Sequence, residues 1–125
     1  MEWTAEELYL IGQRGYDLAA QGRYELAATV FEGLLEIAPS DAWARRSLAA
    51  MQLRMGRAAA ALATLTELGD AQAHRLRLDA HLALGANAEA VKELAAARPA
   101  LNAREARRYA ILLGSEQLSR RRPDK

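Results

Sequence analysis

"GYDLAAQGRYELAATVFEGLLEIAP", residues 15–39, sets two glycines (Gly15, Gly22), Ala27, Phe31 and Pro39 at fixed offsets inside sequence of helical character. Working outward, the apolar residues Leu8, Ile11, Gly15, Leu18 and Ala19 recur at helical spacing, and Thr4 with Glu7 forms a capping box ahead of them. A first helix over 5–21 follows. Gln21-Gly22-Arg23 breaks it, and a second helix over 24–37 turns Leu26, Ala27, Val30, Phe31, Leu34 and Leu35 to one face before Ala38-Pro39 stops it. The stretch reads as a helical hairpin.

The same punctuation continues. Ser40 or Asp41 caps a third helix over 42–55, with Ala44, Leu48, Ala49 and Met51 available for burial, and Gly56 ends it. A fourth helix spans 58–68, Gly69-Asp70 supplies break and cap, a fifth spans 71–84, Gly85 turns the chain, and a sixth over 87–97 is closed by Pro99. Asn102 and Glu105 repeat the capping-box signal before a last helix over 103–120 carrying Ala106, Tyr109, Ala110, Leu113 and Leu118. Composition agrees: Ala, Leu, Arg and Glu dominate the 125 residues, half of which are hydrophobic. The expected fold is all-α in one domain over 1–119, with a basic tail at 120–125.

"GRYELA" (22–27), "GRAAAA" (56–61) and "GANAEA" (85–90) each place Ala five residues after a glycine that separates two helices. The first glycine interval is 34 residues and the second 29, so the segment between Ala61 and Ala90 is shortened. Small residues at those places let two helix axes approach, and the glycines supply the positive φ of a tight reversal. A 34-residue helix-turn-helix period of this kind resembles the tetratricopeptide repeat, on Gly15, Gly22, Tyr24, Ala27, Phe31 and Pro39 in the first repeat and Leu48, Ala49, Gly56 and Ala61 in the second. The resemblance implies a right-handed solenoid of three hairpins (8–41, 42–70, 71–99) and a capping helix over 102–120.

In such a solenoid the first helix of each pair lines the concave side. Helical phase then turns Tyr9, Gly12 and Tyr16 to the groove from the first repeat. The second repeat contributes Trp43, Arg46, Ala50 and Leu53, and the third Arg75, Asp79 and Leu82. Aromatic and arginine side chains there suit capture of a peptide, whereas simple packing between neighbouring helices is the plainer use of Tyr9, Tyr16 and Trp43. The Lys, Asn and Arg clamp by which chaperone-binding tetratricopeptide adaptors hold a terminal carboxylate is replaced here by Gly12, Tyr16, Ser47, Gln72 and Leu76.

Residues 7–62 also resemble the class II chaperones of bacterial type III secretion, on Leu8-Tyr9, Gly22-Arg23-Tyr24, Ala27, Phe31, Pro39-Ser40-Asp41, Gly56 and Ala61. The chain departs from them in starting almost at its first repeat, without their N-terminal helical arm, and in its shorter second-to-third connection. In size it is similar to the tetratricopeptide-like chaperones of needle subunits. The resemblance implies a cytosolic bacterial chaperone holding a translocator or needle-subunit segment against Tyr9, Tyr16, Trp43 and Leu53, with Arg46 and Arg75 fixing register. A general tetratricopeptide scaffold or adaptor, including one that self-associates, is the alternative.

Other classes find little in the sequence. No cysteine is present, so disulfides and thiolate metal sites are excluded. His74 and His81 stand seven residues apart, about 10 Å along a helix, too far to chelate one ion. No phosphate-cradling glycine loop or nucleophile elbow occurs, and the carboxylates sit at caps or on charged faces, so no enzyme, cofactor or metal is expected. No leader or membrane span is read, and the expectation is a soluble, cytoplasmic protein. Charge is polarised: residues 1–41 hold eight acids against Arg14 and Arg23, and residues 98–125 hold eight bases against three acids. Such asymmetry serves solvation, steering of a partner, or head-to-tail association. Arg120–Arg122 ahead of Pro123 reads as a favourable basic helix end, not a nucleic-acid or membrane patch.

Overall fold

The computed structural model describes residues 2–121, with side chains described through Gly114. Among them are seven α-helices, one short 3₁₀ turn and no strand: α1 (Ala5–Ala20), α2 (Tyr24–Ile37), α3 (Ala42–Arg54), α4 (Ala58–Thr64), α5 (Ala71–Ala83), α6 (Asn87–Ala97) and α7 (Ala103–Arg121). The chain is all-α, as the sequence predicts. By their contacts the residues form two compact units, Met1–Leu68 and Gly69–Lys125.

The three glycine reversals are built alike. Gly22, Gly56 and Gly85 have φ of 76°, 76° and 71°. In each, the residue after the glycine donates its N–H five residues back: Arg23 to Leu18 at 2.9 Å, Arg57 to Gln52 at 2.8 Å, Ala86 to His81 at 2.8 Å. The glycine N–H itself donates three residues back, to Ala19, Leu53 and Leu82. These paired bonds close the orphan carbonyls of α1, α3 and α5, and only a left-handed residue permits them without strain. Five residues on, Ala27, Ala61 and Ala90 are wholly buried.

In the first unit α1 packs on α2, α2 on α3, and α3 on α4. Its core gathers Leu18, Ala27, Ala28, Phe31, Leu48 and Met51, flanked by Tyr24, Val30, Leu35, Ala50 and Met55. Leu26, expected on the buried face of α2, is 46% exposed because it lies at the rim of the arc that Ala27, Phe31 and Leu34 define. The Thr4–Glu7 capping box forms in both directions, and the Asp41 carboxylate accepts from the Ala44 N–H at 3.0 Å, so Asp41 is the cap of α3.

The fourth helix is shorter than the expected 58–68. It ends at Thr64, whose hydroxyl lies 3.0 Å from the Ala60 carbonyl and 2.7 Å from Gln52 Oε1. The left-handed residue that turns the chain is Glu67 (φ 74°), two places before the glycine expected to break the helix. The missing residues of the second glycine interval are thus taken out of α4.

In the second unit α5 pairs with α6, and α7 follows the 3₁₀ turn Arg98–Ala100 around Pro99. Asn102 and Glu105 make the expected capping box: Asn102 N–H donates to Glu105 Oε1 at 3.0 Å, and Glu105 N–H to Asn102 Oδ1 at 2.7 Å. Leu78, Ala90, Ala97 and Leu113 form the core, with Leu82, Leu94, Leu101 and Tyr109 packed on it. Ala110, expected in the core, is exposed, and the side chains of Leu118 and of the basic run Arg120–Arg122 lie outside the described residues.

Candidate functional site

The site begins with a glycine. Gly12, in the middle of α1, is buried, and a Cβ built on it would fall 2.9 Å from Trp43 Cζ3 and 3.7 Å from Leu34 Cδ2. The absent side chain is the space into which the Trp43 indole leans from the first turn of α3. On its other side the indole meets Phe31 edge-on, with centroids 5.5 Å apart and planes at 81°. Phe31 in turn fills the space left by Gly15, where a Cβ would fall 2.6 Å from Cε1. Two glycines one turn apart thus seat two aromatic rings.

Beside Trp43 opens a pocket of ≈ 380 Å³ lined by Ala5, Leu8, Tyr9, Gly12 and Gln13 from α1, Leu34 from α2, and Asp41 and Trp43 at the start of α3. Tyr9 and Trp43 remain 68% and 42% exposed, so both present ring surface to solvent. The walls are mostly apolar, and Gln13 and Asp41 are the polar groups. Asp41 is fixed by its cap bond, and Gln13 Nε2 donates to Asp17 Oδ1 at 3.2 Å. The arrangement suits an apolar or aromatic side chain presented with a nearby hydrogen-bond donor.

The residues expected in the groove divide into four sets. Tyr9, Gly12 and Trp43 are brought together at this pocket, with Gly12 as buried seat and not as an exposed contact. Tyr16 is 59% exposed on α1 and lies outside the pocket lining. Ala50 packs on the first unit's core, while Arg46 and Leu53 are half-buried on α3. Arg75, Asp79 and Leu82 are turned to α7 instead of a groove. Arg75 donates to Glu105 Oε2 at 2.5 Å and to the Ala100 carbonyl at 3.3 Å, the Tyr109 hydroxyl donates to Asp79, and Leu82 joins the core. A helix some thirty residues downstream covers that face.

This α5–α7 network has its own electrostatics. Burial pushes the Asp79 carboxyl above its usual range, against the opposing pull of the Tyr109 hydrogen bond and the Arg75 charge. Burial and the bond to Asp79 push the Tyr109 phenol up to about 12. The Asn102 N–H and then Arg75 hold Glu105 below the ordinary value. Among the described residues, every buried side-chain polar atom has a partner. On the neighbouring face of α5, His74 Nδ1 lies 2.6 Å from Glu93 Oε2, and Arg77 Nε 3.4 Å from Glu93 Oε1. Among the described residues no three His, Cys, Asp or Glu side chains group closely enough to hold a metal, and no helix is long and apolar enough to cross a membrane.

Sequence reasoning missed Ala5, Leu8, Gln13, Leu34 and Asp41 as pocket walls. The α1 members were legible, since Ala5, Gly12 and Gln13 stand one turn from Tyr9, and Leu8 stands one turn from both Ala5 and Gly12.

No curated protein matches the chain significantly. Residues 18–79 match the family model of the tetratricopeptide repeat, a protein-interaction module. The match takes in the Gly22 and Gly56 reversals, buried Ala27 and Ala61, and Phe31, and over these residues the chain is similar to tetratricopeptide-repeat proteins.

Proposed function

We infer that the chain binds a segment of another protein by seating an apolar side chain in the pocket between Tyr9 and Trp43. The observation that carries this is the pocket itself: apolar walls, two half-open aromatic rings and a fixed carboxylate at Asp41. Large rigid rings contribute contact area at small entropic cost. The acidic α1–α2 hairpin favours a client with basic residues beside its apolar anchor. Tyr16 extends the contact along α1, and Arg46 and Leu53 supply it from α3, whereas Arg75, held by Glu105, takes no part.

The finer reading is a bacterial cytosolic chaperone of type III secretion, with a translocator or needle-subunit segment as client. Its support is the motif resemblance over residues 7–62. The general scaffold or adaptor shares the pocket but not the exported client.

Co-purification from the native host identifies the client, and its overlapping peptides are then titrated against Trp43 fluorescence in a Trp3→Phe background. Tyr9→Ala is expected to weaken the tightest peptide by about tenfold, the loss of one apolar anchor's burial, with melting unchanged. Unchanged affinity overturns the site. A client that is never exported leaves the site standing and removes the secretion reading.

A further inference from the structure

We propose that α7 carries a second docking surface, and that its occupant is the outer face of α1 from another copy of this chain. On α7, Arg104, Arg107, Arg108, Ile111 and Leu112 bound one shallow depression. Their spacing of three, four, seven and eight residues places them on one side of the helix, over about 12 Å of its length. Ile111 is 67% and Leu112 51% exposed, and the three arginines are exposed beside them. The acid of this turn, Glu105, is already bound by Arg75. The stripe is therefore apolar at one end and cationic at the other.

The complement lies at the other end of the same chain. On α1 and the residue preceding its cap, Trp3, Glu6, Leu10 and Asp17 share one side of the helix, separated by three, four and seven residues. Trp3 is 45% and Leu10 58% exposed, and Glu6 and Asp17 are exposed. Leu10 and Trp3 are absent from the pocket that Tyr9 and Trp43 line, so this surface is distinct from the proposed client site. Two exposed apolar residues with flanking acids match two exposed apolar residues with flanking arginines, and Arg14 is the sole base of α1. Opposite charges bring the two faces together and set which faces meet, and the apolar pairs supply the buried area.

One copy's α7 meets the next copy's α1, so assembly closes as a reciprocal pair or a ring, or runs on as an open chain.

Sedimentation velocity from about 10 to 300 µM protein, in about 50 mM and 500 mM salt, tests this because ionic screening shortens from beyond the contact distance to within it. The weight-average mass is expected to rise with concentration at low salt and to fall to the monomer value at high salt. Leu10→Asp removes the head and Ile111→Asp the tail. Both positions are exposed, and circular dichroism verifies that each variant keeps its helicity. Each variant alone is expected to stay monomeric, and their equimolar mixture to form a dimer and nothing larger, through the one intact head and the one intact tail. A wild type that is monomeric throughout overturns the proposal, as does association indifferent to salt, a variant that assembles like wild type, or a mixture that stays monomeric. Peptide binding at the Tyr9–Trp43 pocket is read separately on the same two variants, so failure of either reading leaves the other measurable.

Discussion

Gly15 of α1 and Phe31 of α2 are in such close contact that a Cβ on the glycine would lie 2.6 Å from Cε1 and 2.8 Å from Cζ of the ring. Phe31 is 2% exposed and held on its other side by Trp43, so it has nowhere to retreat. Gly15→Ala gains about 1 kcal/mol of helix propensity but must move a buried ring, a displacement that costs about 1–3 kcal/mol. The clash wins. Denaturant unfolding is expected to show a net loss of up to about 2 kcal/mol, rising with the larger Gly15→Val.

Gly12→Ala is expected to behave differently although it lies one turn away. Its new Cβ meets Trp43 Cζ3 at 2.9 Å, but Trp43 is 42% exposed and its outer ring can tilt toward solvent. Propensity gain and strain then nearly cancel, leaving stability within about 1 kcal/mol of wild type. The tilt narrows the pocket, so Trp43 fluorescence shifts and client peptide affinity falls by about tenfold, the equivalent of 1.4 kcal/mol. Loss of stability without loss of binding would contradict the pocket assignment.

These two glycines also show how far the sequence could be read. Gly15, Gly22, Ala27, Phe31 and Pro39 announce a hairpin because each does a local job of close approach, reversal or stop, and local jobs leave fixed offsets. Gly12 left a signal as well, since a mid-helix glycine costs about 1 kcal/mol against alanine and calls for a reason. Helical phase places it on the groove side, but phase does not say that an indole from α3 fills the gap. The covering of Arg75, Asp79 and Leu82 by α7 was hidden for the same cause. Periodicity tells which residues share a face and is silent on which distant helix lies against it. The early end of α4 escaped because Glu67, and neither glycine nor proline, makes the turn.

Tyr109 is expected to titrate near 12, because burial and its donation to the Asp79 carboxylate both favour the protonated phenol. The difference between ultraviolet titrations of wild type and Tyr109→Phe isolates that ionisation. The folded value lies above the ordinary 10, so the contribution to stability is fully present below about 10 and is lost as pH rises toward 12. Stability of the wild type should therefore fall across that window more steeply than that of Tyr109→Phe. At neutral pH the variant should be less stable by about 2 kcal/mol, the worth of a hydrogen bond to a charged acceptor. A parallel alkaline decline in the two proteins would dismiss the network as a stabilising link between α5 and α7.

Glu67 occupies the left-handed region at φ 74°, where a Cβ crowds the backbone. The conformation costs a residue of this kind about 1–2 kcal/mol, and glycine escapes it. Against that, glycine frees the unfolded chain by about 0.5–1 kcal/mol of entropy. The carboxylate of Glu67 is exposed, so little packing is forfeited. Glu67→Gly is expected to raise stability by about 0.5–1 kcal/mol, and Glu67→Asn by less, because asparagine tolerates the region only in part. Glu67→Val should lower stability, since a β-branched side chain cannot enter the region without further strain. The order Gly above Asn above Glu above Val, read from urea midpoints at constant m, is the signature of backbone strain. A series that instead followed helix propensity would place residue 67 inside a continuing α4.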